Sequence, residues 1–210
     1  MRVFLLSPAN CSGKRAQLLF KEPAHLELAC QLRNGCGVPL GDVFSFVSGL
    51  YFRGKLAYAR AFSRPPESAT SLQQRDALII TTNRGLLSID HRVRLDDLRS
   101  MASGDISVKD ETYRAALARD AAKLAQRLDA DDRVVLLGSI ATGKYADILT
   151  RTFGERLLFP VEFVGRGDMS RGGLMLRCVE ERRQLTYVPL AGAVRHGPRP
   201  PRLPALTPRS

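Results

Sequence analysis

Between Leu136 and Tyr145 the chain reads LLGSIATGKY. A glycine, four residues, a second glycine and a lysine is the spacing with which a strand-to-helix turn wraps a phosphate. Backbone N–H groups cradle the anion, the lysine reaches its outer oxygens, and a following Ser or Thr hydroxyl holds magnesium. Gly138, Gly143 and Lys144 supply the first two parts, but the hydroxyl position is Tyr145, whose phenol is too long for the metal. The motif also follows the third expected strand rather than an early one. The expected strands run out at Ser7, Thr82 and Gly165, not at the aspartate that would share the magnesium. The stretch therefore reads as a turn that aims a helix N-terminus at whatever sits above a sheet, and not as an ATPase site.

Three loops carry the remaining small polar groups. Ser7 to Ser12, Thr81 to Gly85 and Gly138 to Lys144 each follow an apolar run. In open α/β sheets, ligands bind beyond the carboxyl ends of the strands, so parallel strands would bring these loops to one edge. The pocket candidates are Ser7, Asn10, Lys14, Thr82, Asn83, Arg84, Gly138, Ser139 and Lys144, a set suited to a nucleotide, a phosphate or a base. The alternative is that the Ser, Thr and Asn residues only cap helices and close turns. A second candidate is Gly165 to Gly173, read as a glycine- and arginine-rich loop. Its Arg166 and Arg171, extended by Arg177, Arg182 and Arg183, could follow a phosphate backbone, or could simply be solvated. Glu162 sits among apolar residues and is either a buried acid or part of an edge strand facing water. No Ser-His-Asp order, paired-carboxylate motif, metal-ligand spacing or cofactor fingerprint stands out. The four cysteines form no C-x-x-C pair, which favours reduced thiols over a zinc site.

Those loops need elements to hold them. Arg2 to Leu6, Ala77 to Thr82, Arg133 to Leu137 and Leu157 to Val164 read as buried strands. Lys14 to Phe20, His25 to Leu32, Asp42 to Phe62, Val108 to Leu128 and Thr142 to Phe153 read as helices. In the long one from Asp42, Gly49 and Gly54 predict a bend, and Arg53, Lys55 and Arg60 decorate the surface. Ser107 is the expected cap of the helix from Val108, with Asp110 and Glu111 in its first turn. Ser63 to Gln73, with Pro65-Pro66, reads as a surface loop. Leu174 to Leu190 fits either a hairpin turning at Glu180 to Arg183, which is favoured, or a helix through Cys178. Strands alternating with helices predict one α/β domain over residues 1–191, with a largely parallel sheet. Residues 192–210 are rich in Pro and Arg and contain no acid, so they read as an extended or disordered basic tail that either touches nucleic acid or is inert.

The 210 residues carry a net charge of +11, which points to polyanions, with nucleic acid first, unless the arginine content is only compositional. No apolar run reaches the roughly 18 residues of a membrane span, and the short apolar start is followed at once by Asn10, Lys14 and Arg15. No membrane association and a cytoplasmic location are the expectation.

Four segments, taken in order, resemble the YaaA-like peroxide-stress family and its bacterial cousins. They are Phe4-Leu-Leu-Ser-Pro-Ala9; Ile79 to Asp90, with Gly-Leu-Leu after the strand; Val134 to Ser139 with Lys144-Tyr145; and Leu158 to Val164 with Arg171-Gly-Gly-Leu-Met175. Arg84 stands where that family has Tyr, an extra Ile-Ala-Thr-Gly precedes Lys144, and the Pro/Arg ending has no counterpart. The resemblance implies a cytoplasmic α/β protein associated with DNA binding and oxidative-stress protection. It also implies that Tyr145 opens a helix after a lengthened turn. The leading expectation is a nucleic-acid-associated protein, DNA before RNA, with a nucleotide or base pocket above the sheet. The alternatives are an enzyme acting on a nucleotide or nucleoside through Ser7, Asn10, Thr82 and Lys144, and an interaction subunit whose charge is compositional.

Overall fold

The computed structural model describes residues 2–63 and 77–203. Four short runs of Val, Ile, Leu and Phe have no polar face to show to water, so each is buried on both sides of a parallel sheet. They are β1 (Arg2–Leu6), β3 (Ala77–Ile80), β6 (Arg133–Leu137) and β7 (Leu157–Pro160). Two antiparallel edge strands, β4 (Leu86–Ser88) and β8 (Tyr187–Pro189), complete the order β4-β3-β1-β6-β7-β8. A separate ribbon pairs β2 (Val38–Pro39) with β5 (Arg92–Val93). The expectation of one α/β domain with a mostly parallel sheet holds.

Successive residues of β1 point to opposite faces. Phe4 and Leu6 join a core with α1 (Lys14–Phe20), α2 (Glu27–Arg33), α3 (Leu40–Ser48), α4 (Leu50–Phe62) and α5 (Leu95–Ser103). Val3 and Leu5 join the opposite core, with α6 (Glu111–Arg127) and α7 (Gly143–Phe153). The last helix, α8 (Asp168–Glu180), returns to the first face. From β1 the chain covers one face to reach β3 on one side, then covers the other face to reach β6 on the other side. The growth of the sheet thus reverses between β1 and β6. At such a reversal the flanking connections part to opposite faces and leave a crevice at the carboxyl ends.

Several boundaries differ from the sequence expectation. The long helix is two, because Gly49 adopts φ +66° and closes α3 while opening α4. Asp110, not Ser107, caps α6: its Oδ1 accepts the Tyr113 N–H at 3.0 Å, while Ser107 holds the turn before it. Such a cap contributes about 1 kcal/mol. The strand from Leu157 stops at Pro160, where a 3-10 turn (Val161–Phe163) begins. The favoured C-terminal hairpin is absent. Glu180 to Arg183 does turn the chain, with Arg182 at φ +52°, but helix α8 enters that turn, and β8 pairs with β7 beyond it. The glycines at 172 and 173 mislead here. Gly172 sits inside α8 because only a bare Cα fits against the α4 backbone.

Residues 192–203 run without regular structure and are docked. Arg195 pairs with Asp147 at 2.8 Å, and Leu203 packs on the core. The surface loop expected around Pro65-Pro66 and residues 204–210 lie outside the described residues. No described helix is long and apolar enough to cross a membrane.

Candidate functional site at the sheet reversal

Ser7 is the first residue beyond β1, and its N–H still bonds the Leu137 carbonyl of β6 at 3.1 Å. That bond brings the Gly138 backbone against it. A Cβ on Gly138 would lie 2.7 Å from Ser7 Cβ and 3.0 Å from the Tyr145 hydroxyl, so the two strand ends and α7 meet only because residue 138 has none. Tyr145 folds back under the turn. Its phenol reaches the Ser7 hydroxyl and donates to the Ser139 carbonyl at 2.7 Å. Burial pushes that phenol up. Tyr145 is thus a buried prop rather than a metal-facing residue, in agreement with the strand-to-helix reading of LLGSIATGKY.

The fourth member was not among the sequence candidates. Lys55, expected on the surface of its helix, is 0 % exposed. Its Nζ lies 2.6 Å from the Ser7 carbonyl and 2.9 Å from Ser7 Oγ, and sits 4.4 Å and 4.7 Å from the ring centroids of Tyr51 and Phe52. Among the described residues no carboxylate is bonded to it. Asp168 acts only from a distance and is ion-paired at 3.4 Å with Arg171, which is itself buried. Burial, with a smaller push from the Arg171 charge, lowers the Lys55 pKa from 10.5 to about 7, against the pull of Asp168. The Tyr51 hydroxyl, also buried, approaches Arg171 without a well-formed hydrogen bond, and burial pushes its phenol up strongly. A signal for Lys55 existed. Tyr51, Phe52, Leu56, Tyr58 and Ala59 surround it with apolar side chains on nearly every side of the helix, and such a helix is buried.

Beside this cluster opens a cleft of about 400 Å³. Its walls are Pro8 to Ser12, Thr82, Met101, Ala102, Gly104 to Ile106 and Lys144. The three loops expected to converge do meet here, but their side chains divide. Asn10, Thr82 and Lys144 line the cleft. Of these, Asn10 Oδ1 closes its own turn on the Ser12 N–H at 3.0 Å, and Thr82 Oγ1 donates to the Met101 carbonyl at 2.8 Å. Asn83 turns away to Ser100, and Arg84 pairs with Asp97 at 2.6 Å. Lys14 is exposed at the start of α1, Gly138 packs on Ser7, and Ser139 offers its carbonyl to Tyr145. Cys11 also faces the cleft, but burial pushes its thiol up to about 12, which leaves almost no thiolate at neutral pH.

The arginines of the second candidate scatter. Arg171 is not on a surface loop: its Nε and Nη2 donate to the Phe163 carbonyl at 3.1 and 3.0 Å. Arg166 holds the Glu162 carbonyl at 3.0 Å, and Arg177 is half-buried on α8. Arg182 and Arg183 are exposed, the latter paired with Glu181 at 3.1 Å. Glu162 is neither a strand residue nor an isolated acid, since its Oε1 accepts the Thr186 N–H at 2.9 Å. Set against known proteins, the chain matches no family model, and neither curated proteins nor solved structures give a significant match.

Proposed function

We propose that this chain is an enzyme acting on a nucleotide or nucleoside, of hydrolase or glycosidase type, with its ligand in the cleft beside Ser7. Lys55 carries this reading. A fully buried amine whose bonded partners among the described residues are neutral oxygens lowers stability, and such groups concentrate at functional sites. Its position at the sheet reversal, where α/β folds bind ligands, supports the same reading. The cleft volume suits a nucleoside with a phosphate. Lys144 offers a cation to the phosphate, and Asp105 an acceptor for sugar hydroxyls or a base amine. The four free cysteines suit a reducing compartment, the cytoplasm.

Calorimetric titration with a nucleoside and its mono- and triphosphates tests the reading. Phosphate-bearing members should bind. Lys144→Ala should weaken them roughly tenfold to a hundredfold, the worth of one charge-assisted hydrogen bond, and leave the nucleoside unchanged. Absence of binding by every member at millimolar concentration refutes it.

The net charge of +11, together with the likeness to the YaaA-like family, favours a second reading, association with DNA through a basic surface. Binding to duplex or single-stranded DNA should then fall steeply with salt, and Arg182→Ala should reduce the slope of log K against log salt by about one. An unmeasurable affinity at low salt removes this reading and leaves the first intact.

A further inference from the structure

We propose that Ser7 and Lys55 form a nucleophile and general-base pair for acyl transfer, attacking an ester or amide carbonyl presented in the cleft. The geometry is that of an activated nucleophile: the hydroxyl lies 2.9 Å from the amine, within the reach at which a base takes the proton of an attacking oxygen. The bond to the Ser7 carbonyl, at 2.6 Å, fixes the amine. A neutral amine uses one N–H for that carbonyl and turns its lone pair to the Ser7 O–H. An ammonium ion donates to both oxygens and leaves the hydroxyl unactivated, free to donate to Tyr145 instead. The surroundings keep the amine available in its neutral form near pH 7. On α4 it faces the rings of Tyr51 and Phe52. From α8 the ion pair of Asp168 and Arg171 acts on it, and from α7 the phenol of Tyr145 stands across Ser7. Pro8, the residue after Ser7, belongs to the cleft wall, and Ser7, itself buried, stands one residue behind that wall with Lys55 bonded to it.

Ser7 Oγ adds to the carbonyl carbon as Lys55 Nζ takes its proton. The tetrahedral intermediate then collapses. The bond to the leaving alkoxide or amine breaks, and the departing group takes the proton from Lys55. Water attacks the acyl-serine with Lys55 again as base, the acid leaves, and the proton returns to Ser7. The sum is ester or amide plus water giving acid plus alcohol or amine. Neither metal nor redox partner is consumed.

A fluorophosphonate probe tests the pair without needing the substrate. Ser7 Oγ displaces fluoride at phosphorus, a P–O bond replaces P–F, and Lys55 passes the serine proton to solvent. In the full chain, fragment mass spectra should place one adduct on Ser7 and none on Ser12 of the same tryptic peptide. The rate should climb about tenfold per pH unit up to about 7 and then level off, following the neutral fraction of Lys55. Ser7→Ala should abolish labelling, and Lys55→Met should slow it at least about a hundredfold and flatten the profile. No adduct, an adduct elsewhere, or full-rate labelling of Lys55→Met overturns the pair. So does a wild-type rate independent of pH from 5.5 to 9, a readout that holds even where a variant does not fold. The inference shares its cleft with the nucleotide reading but does not require a nucleotide. Labelling without nucleotide binding sinks only that reading, and binding without labelling sinks only the pair.

Discussion

Lys55→Met should stabilise the protein at pH 6 and lose much of that advantage by pH 8.5. Below about pH 7, Lys55 is charged both in its buried site and in the unfolded chain, so folding bears the full cost of burying the charge. From about 7 to 10.5 the unfolded chain binds more protons than the folded one, and stability rises with pH across that window. At roughly 1.4 kcal/mol per pKa unit, the whole effect is on the order of 5 kcal/mol. Methionine removes it but strands the Ser7 carbonyl, at about 1–3 kcal/mol. The electrostatic gain is larger, so the variant should be more stable at pH 6 by on the order of 3 kcal/mol. Moving to pH 8.5 returns about 2 kcal/mol of this to the wild type. Higher pH is less informative. Tyr51, Tyr113, Tyr187 and Cys178 hold their protons in the folded state, and stability falls as the unfolded phenols and thiols ionise. Urea midpoints for both proteins at the two pH values provide the check. A difference that does not change with pH means that Lys55 does not titrate near neutrality.

The central sheet was legible because β1, β3 and β6 are apolar on both faces and end at small polar residues. Short runs of that kind are characteristic of strands covered by helices on both sides. The convergence of their loops followed from parallelism alone. The fate of each loop side chain did not follow, because a Thr, Asn or Arg beside a turn serves a cap, a neighbouring helix or a ligand equally well. Thr82, Asn83 and Arg84 are consecutive, yet only Thr82 reaches the cleft, since α5 supplies the Met101 and Ser100 carbonyls and Asp97 just beside them. No sequence period announces α5 as their partner. Lys55 was obscured by its type: lysine belongs on surfaces, and only the ring of apolar neighbours around it argues otherwise. Helix α8 was obscured by glycine. Gly172 and Gly173 lower helix propensity by about 1 kcal/mol each, and local reasoning read Gly165 to Gly173 as a loop. Tertiary packing reverses that preference, because α4 needs the missing side chain.

Gly54→Ala should therefore be costly, although alanine favours a helix. A Cβ on Gly54 would lie 2.6 Å from the Gly172 carbonyl oxygen, and one on Gly172 would lie 2.7 Å from the Leu50 carbonyl oxygen and 2.8 Å from Tyr51 Cα. All of these neighbours are backbone, so no rotamer change relieves the overlap; the helices have to separate. The propensity gain is about 1 kcal/mol, whereas overpacking a tight contact costs about 1–3 kcal/mol, and more where backbone has to move. A net loss of about 2 kcal/mol or more is expected for either variant, equivalent to a fall of at least about 4 °C in melting temperature for a chain of this size. Gly35→Ala, at a site with nothing within 4 Å, should stay within about 0.5 kcal/mol of the wild type. A Gly54→Ala protein as stable as the wild type would mean that α4 and α8 do not pack at this distance. The consequence reaches the site directly. Gly54 precedes Lys55 on α4, and Gly172 follows Arg171 on α8, so one contact sets both the depth of the amine behind Ser7 and the distance of the guanidinium that acts on it.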